Sequence, residues 1–217
     1  MTTDAQVLDA LEEQFQSFGA THFLANGVPL PGRSIDPLML RMNWGDLRHE
    51  RAAGTEYPML RKVAGAQRPF PLPDPTGDLA VHDSPLITAL RSTPNPHLIA
   101  VPIRAFPPYQ GVVVAGGASL SVDSHSLMLI EHVCIEAFRR LFALGVVKSE
   151  RAGDLSPRER RVVELSAVGR TASEIAEILE ISQRTVHAHL QNASEKLHAR
   201  NKTHTVVEAL RYGQISI

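Results

Sequence analysis

The chain has 217 residues, 43% of them apolar, with 22 Lys/Arg against 23 Asp/Glu, which excludes a disordered chain and suits one ordinary domain plus a small second one. The single cysteine, Cys134, excludes an intrachain disulfide and fits a reducing compartment. An acidic N-terminus and the lack of any apolar run near the eighteen or so residues of a membrane span exclude a signal peptide and a transmembrane helix, so a cytoplasmic protein with no membrane partner is expected. Charge is mildly asymmetric: ten Lys/Arg face eight Asp/Glu from Arg151 onward, leaving twelve against fifteen before it. That permits a nucleic-acid partner for the tail without establishing one.

Val7, Leu8, Leu11, Phe15 and Phe18 recur at helical spacing, which predicts an amphipathic helix over 4–18 with Gly19 as its terminator. Segments 21–25 and 38–43 read as strands. The clearest pair is 97–106 and 109–118, turned by Pro107-Pro108, with Pro102 implying an edge or a bulge. Ser121 or Asp123 opens a long helix to about Leu144 that is apolar on two sides: Leu127, Ile130, Cys134, Ala137 and Leu141 beside Val133, Phe138 and Phe142. One stripe suffices for packing on a sheet; the second is either a partner-chain surface or a second buried side within one domain. These elements predict an α+β N-terminal domain over 1–147, an α/β/α sandwich around an antiparallel sheet, followed by a polar linker over 148–154.

The tail, 155–217, reads as an all-α four-helix unit. Ser156-Pro157-Arg158-Glu159 is a capping box with proline at the first helical position, and Gly169 stands where a left-handed C-cap is wanted. Thr171 to Glu174 repeats the box. Ser182 opens a third helix running to about Leu197, separated from the second by only Glu180 and Ile181, and a fourth spans roughly 203–212. Two short helices joined so tightly are a helix-turn-helix. Val163, Ile175, Ala176, Leu179, Val186, Leu190 and Leu197 make a core, which leaves Gln183, Arg184, His187, Ala188, Gln191 and Asn192 on the outer face of the third helix, with Thr185 near its start. Such side chains exchange hydrogen bonds with base edges and phosphates, and the hydroxyl-bearing helix terminus suits a phosphate. A metal pair at His187 and His189 is rejected, because residues two apart do not share a helix face.

The stretch LSPRERRVVELSAVGRTASEIAEILEISQRTVHAHLQNASEKLHARNKTHTVVEAL resembles the LuxR-type, or GerE-type, DNA-binding domain, through Pro157-Arg158-Glu159, Gly169, Glu174-Ile175-Ala176, Leu179, Ile181-Ser182, Thr185-Val186, His189, Asn192, Lys196-Leu197 and Asn201. The resemblance implies a dimeric protein that lays its third helix in the major groove, with His187 and Gln191 at base edges and Ser182, Arg184, Thr185, Lys196 and Lys202 at the DNA backbone. Two departures stand out. Glu180 replaces the usual turn glycine, and His and Gln stand at base-reading positions that are often Lys or Arg, which implies weaker or pH-sensitive binding.

The N-terminal half resembles the autoinducer-binding domain of acyl-homoserine-lactone receptors. The likeness rests on Asn43-Trp44, Arg68-Pro69-Phe70, Val101-Pro102-Ile103, the strand from Gly111 to Val114, Ala115-Gly116-Gly117 and the closing helix. The family holds its ligand with a Trp on the lactone, an Asp-Pro pair on the amide, a Tyr and a second Trp. By position, Leu47 falls at the lactone Trp, Arg51 near the Tyr, Tyr57-Pro58 at the Asp-Pro and Leu72 at the second Trp; Asp74-Pro75 is a rival placement that finds no aromatic at the expected offsets. Losing a hydrogen bond to a buried carboxylate costs about 1.5 to 3 kcal/mol, or roughly ten- to a hundredfold in affinity. A standard lactone is therefore not expected; Trp44, Leu47, Arg51, Tyr57 and Leu72 either line a remodelled pocket for a non-standard small molecule or fill a core.

The implied function is an orphan quorum-sensing-type transcriptional regulator that binds a two-fold symmetric duplex as a homodimer, with RNA polymerase as a further partner. The alternative is an interaction protein that pairs with a related regulator and inhibits it. An enzyme is not expected: no nucleotide loop, no metal-spaced ligand set, no nucleophile elbow and no cofactor signature is found. A phosphorylated receiver domain is disfavoured, since no acidic pair follows a first apolar strand.

Overall fold

A computed structural model of the chain describes residues 3–31, 33, 38–43, 58–72, 97–106, 109–147 and 154–217. Helix α1 (Asp4–Ser17) opens where the Thr3 side chain accepts the Gln6 amide, and it buries Val7, Leu8, Leu11 and Phe15. The chain leaves it through Gly19 at φ +89°, where a Cβ would meet the Ser119 carbonyl oxygen at 2.2 Å. No larger residue fits so close an approach to the loop that precedes the closing helix.

Strands β1 (His22–Gly27), β2 (Met39–Met42), β3 (Phe70–Pro71), β4 (His97–Phe106) and β5 (Tyr109–Gly117), with helices α2 (Pro58–Gly65) and α3 (Ser124–Ala143), complete the N-terminal half. The sheet order is β2-β1-β5-β4-β3, with every pairing antiparallel. The expected strands and both long helices are thus present, within a residue or two at their ends. The short elements α2 and β3 are additions to the sequence reading. The helix start at Pro58 uses a residue whose missing N–H is harmless in a first turn. The β4–β5 register slips between Ile103 and Phe106, just beyond Pro102. Strand β3 pairs only with Ile99 and Ala100, so Pro102 lies past the end of that edge strand. Asp123 caps α3, its carboxylate accepting the His125 and Ser126 amides.

Alternation along the strands splits the sheet into two apolar faces. Phe23, Ala25, Ile99, Val101, Ile103, Val113 and Ala115 meet α1 and α3 through Phe15, Ile130, Cys134, Phe138 and Leu141, with the Phe15 and Phe23 rings 5.2 Å apart. On the other face Leu24, Val28, Leu98, Ala100, Val112 and Val114 join Val63 and Ala64 of α2, and that cluster runs on without a break into the C-terminal helices.

Those helices are α4 (Pro157–Ala167), α5 (Ala172–Leu179), α6 (Gln183–Lys196) and α7 (Lys202–Arg211). Val162, Leu165, Ile175, Ala176 and Val186 form their own small core, while Val163, Ala193, Leu197, Ala209, Tyr212 and Ile215 face the sheet cluster. Most of the expected linker, 148–153, lies outside the described residues. No helix among the described residues is long and apolar enough to cross a membrane.

Candidate nucleic-acid interface

Local chemistry places α6. Thr171 accepts the Glu174 amide and Glu174 accepts the Thr171 amide, so the box fixes the start of α5. The Thr171 amide, then Arg170 and the Thr171 hydroxyl, hold the Glu174 carboxyl down at about 2. Helix α5 ends at Glu180, left-handed at φ 54° and ψ 45°, and the Ile181 amide closes the turn on the Ala176 carbonyl at 3.0 Å. The departure read from the sequence is therefore real. A glutamate occupies a conformation that favours glycine, at a cost on the order of 1 kcal/mol.

Ser182 then caps α6, its Oγ accepting the Thr185 amide at 3.0 Å and lying 2.8 Å from the Thr185 hydroxyl. Val186, Ala193 and Leu197 point inward, so the helix exposes a stripe at three- and four-residue spacing: Arg184, His187, Ala188, Gln191 and Glu195. Ser182, Gln183 and Asn192 are also exposed, and Thr185 is half-buried. The geometry offers a helix terminus with two hydroxyls and free amides, followed by a polar ridge slim enough for a major groove.

Several of these side chains already have intramolecular roles. Gln183 Nε2 donates to Ser173 Oγ at 3.2 Å, tying α6 to α5. Gln191 Nε2 donates to Glu195 Oε1 at 3.1 Å, which leaves its carbonyl oxygen for an outside donor. Lys202 Nζ donates to the Arg170 carbonyl at 2.9 Å and stays exposed.

Lys196 departs from the expected outward set. Its ammonium is turned to Glu159 Oε2 at 2.8 Å and to the Asp154 carbonyl at 3.0 Å. The reason is Glu159, only 5% exposed, which serves the Ser156 amide in the α4 capping box and needs a cation to offset its burial. Burial pushes the Glu159 carboxyl up, but the bonds from Lys196 and Ser156 outweigh it and leave the group below the ordinary carboxylate range.

Of the residues expected to line a small-molecule pocket or fill a core, Trp44, Leu47, Arg51 and Tyr57 lie outside the described residues. Leu72 is half-buried and packs against the apolar face shared by the sheet and the C-terminal helices. Sequence reasoning missed Arg104 and Gln110, strand residues that bond to backbone carbonyls at the end of α7. Neither position carries a motif.

A family model described as bacterial regulatory proteins, luxR family, matches residues 154–209, from three residues before α4 into α7. The spore germination protein GerE of Bacillus subtilis is 43% identical over 63 residues, which cover 29% of this chain and 85% of that protein. The chain belongs to the LuxR family of bacterial regulatory proteins. The likeness extends beyond the LuxR-type helices: the transcriptional activator protein BjaR1 of Bradyrhizobium diazoefficiens is 29% identical over 214 residues, covering 94% of this chain and 87% of that one. The quorum sensing-dependent regulator RpaR of Rhodopseudomonas palustris is likewise 29% identical, over 227 residues. Among solved structures, SdiA in complex with octanoyl-rac-glycerol superposes with a TM-score of 0.53 at 23% identity, covering 99% of this chain and 90% of that one. The fold of both halves, an antiparallel sheet with helices followed by a helix-turn-helix unit, is that of this solved structure. This chain is a DNA-binding transcriptional regulator of the LuxR type.

Proposed function

We propose that this regulator acts as a homodimer in quorum sensing, setting two copies of α6 into successive major grooves of a two-fold symmetric site. The observation that carries the reading is the exposed stripe of Arg184, His187, Ala188 and Gln191 over a buried Val186, Ala193 and Leu197. His187 and Gln191 read base edges; Ser182, Gln183, Arg184, Thr185 and Lys202 hold phosphates. Pairing is supported by the exposed apolar side chains Met128, Leu129 and Phe142 of α3, with Val146 just beyond its end; Val133 and Phe138 of the expected second stripe pack into the domain's own core instead. The functional division is 1–147 for sensing and pairing, 148–154 as linker and 155–217 for DNA. The reading is of a binding protein and not an enzyme, in keeping with relatives named as regulators.

The signal differs from a standard acyl-homoserine lactone. Leu47, Arg51, Tyr57 and Leu72 replace the polar and aromatic anchors that the family resemblance implies at those positions. The superposing SdiA structure is a complex with octanoyl-rac-glycerol, an acyl compound without a lactone ring, which supports an acyl chain as the shared element.

Selection of duplexes from a randomised pool with the full chain, followed by footprinting, tests the first part. Two protected half-sites about one helical turn apart are expected; an asymmetric or sequence-blind footprint contradicts the reading. Thermal shift tests the second: short- and long-chain acyl-homoserine lactones are expected to leave the melting temperature unchanged, and a clear rise with any of them contradicts it.

A further inference from the structure

The last turn of the DNA-binding unit is seated on the sensor sheet. Arg104 of β4 donates through Nη1 to the Ala64 carbonyl at 2.6 Å and through Nη2 to the Leu210 carbonyl at 3.2 Å. One guanidinium thus spans the C-terminal turns of α2 and α7, where the negative helix end favours a cation and a carbonyl's second lone pair can take a further donor. Across the hairpin, Gln110 of β5 is buried and donates Nε2 to the Arg211 carbonyl at 2.9 Å. Gly213 follows at φ +65°, where a Cβ would come within 2.8 Å of Gln110 Nε2. Gln214, also buried, accepts the Leu155 amide at 3.0 Å. Tyr212 and Ile215 enter the apolar cluster that holds Ala100, Val112 and Val114.

The contact grips the unit on the side away from its ridge. Arg184, His187, Ala188 and Gln191 stay exposed while α7 is held. This is a hold on orientation that leaves the DNA-facing surface open.

We infer that Arg104 and Gln110 determine the half-site spacing this regulator accepts, by latching the end of α7 to the β4–β5 hairpin and so fixing α6 relative to the sensor. The inference rests on the two-fold reading proposed above. A unit held only by its covalent connection samples many orientations and reaches half-sites at several separations, as any flexible tether does. A latched unit presents its ridge at one distance and angle. Moving a half-site by about half a turn, roughly 5 base pairs, then carries it to the wrong face of the duplex. Both positions act on α6 through α7, so they are positioning residues for DNA binding.

The test uses the full chain and a duplex recovered with it from a randomised pool. Base pairs are inserted singly between the half-sites, up to about half a turn, and affinity is read by fluorescence anisotropy for the wild type, Arg104→Met, Gln110→Leu and Gly213→Ala. The wild type is expected to lose at least about tenfold across the series, and each latch variant less than about threefold, with a single half-site bound equally by all. A latch variant that keeps the steep wild-type profile overturns the inference. If Arg104→Met does not fold, Gly213→Ala, which wedges a methyl group into the same contact from the other side, and Arg104→Lys, which keeps the charge without the two-armed fork, carry the same readout. A wild type that selects no paired half-sites, or ignores their spacing, sinks the two-fold reading and the inference with it, and the wild type alone reveals that case.

Discussion

Lys196 Nζ stands 2.8 Å from Glu159 Oε2, a carboxylate 37 residues upstream, so the last turn of α6 is tied to the first turn of α4. The same glutamate accepts the Ser156 amide. One side chain therefore caps one helix and anchors the end of another, and the ridge of α6 is aimed partly from α4.

That pairing predicts a separation of roles among the cations. Lys196→Met is expected to lower unfolding stability by about 2 kcal/mol, because it leaves a buried carboxylate short of a partner. It should leave the salt dependence of DNA binding nearly unchanged. Arg184→Ala should do the reverse, reducing the slope of log affinity against log salt by about one while stability holds. Denaturant titration and binding over a salt series check both; a Lys196→Met slope change as large as that of Arg184→Ala would place the lysine on a phosphate instead.

The capping carboxylates give an acid limb with a defined sign. Glu174 is held at about 2 against an ordinary 4.5, mainly by the Thr171 amide and Arg170, and Glu159 is also lowered. A depressed carboxylate contributes stability that is complete above its unfolded value and is lost as pH falls through the folded one. The difference in melting temperature between the wild type and Glu174→Gln is expected to be full above about pH 5 and to vanish toward about pH 2. A difference that persists at the acid end would show that the box does not act through its charge.

Glu180 marks a place where stability was not maximised. Glu180→Gly is expected to raise unfolding stability by about 1 kcal/mol, since the φ of 54° is freely available to glycine. Chemical denaturation checks it. A loss of stability would mean that the glutamate makes a compensating contribution larger than its backbone strain.

What the sequence reveals follows the range of the interactions. Ser156, Thr171 and Ser182 act on amides three residues ahead, so their helix starts are legible from neighbours alone, and the exposed stripe of α6 follows from periodicity. Glu159 with Lys196 is a long-range pair, and only packing turns the lysine inward. Strand β3 is too short to show a period, and helix α2, as short as α5, follows Tyr57 rather than a capping Ser, Thr, Asp or Asn. Arg104 and Gln110 bond to carbonyls, which every residue carries, so no residue type downstream advertises them.

The most direct measurement of the central claim, that the outer face of α6 reads base edges, is the affinity of the wild type, His187→Ala and Gln191→Ala for a selected duplex and for a scrambled one at the same salt concentration. Each substitution is expected to cost about 1 to 3 kcal/mol on the selected duplex and almost nothing on the scrambled one. Equal affinities for all three proteins on the selected duplex would contradict the account.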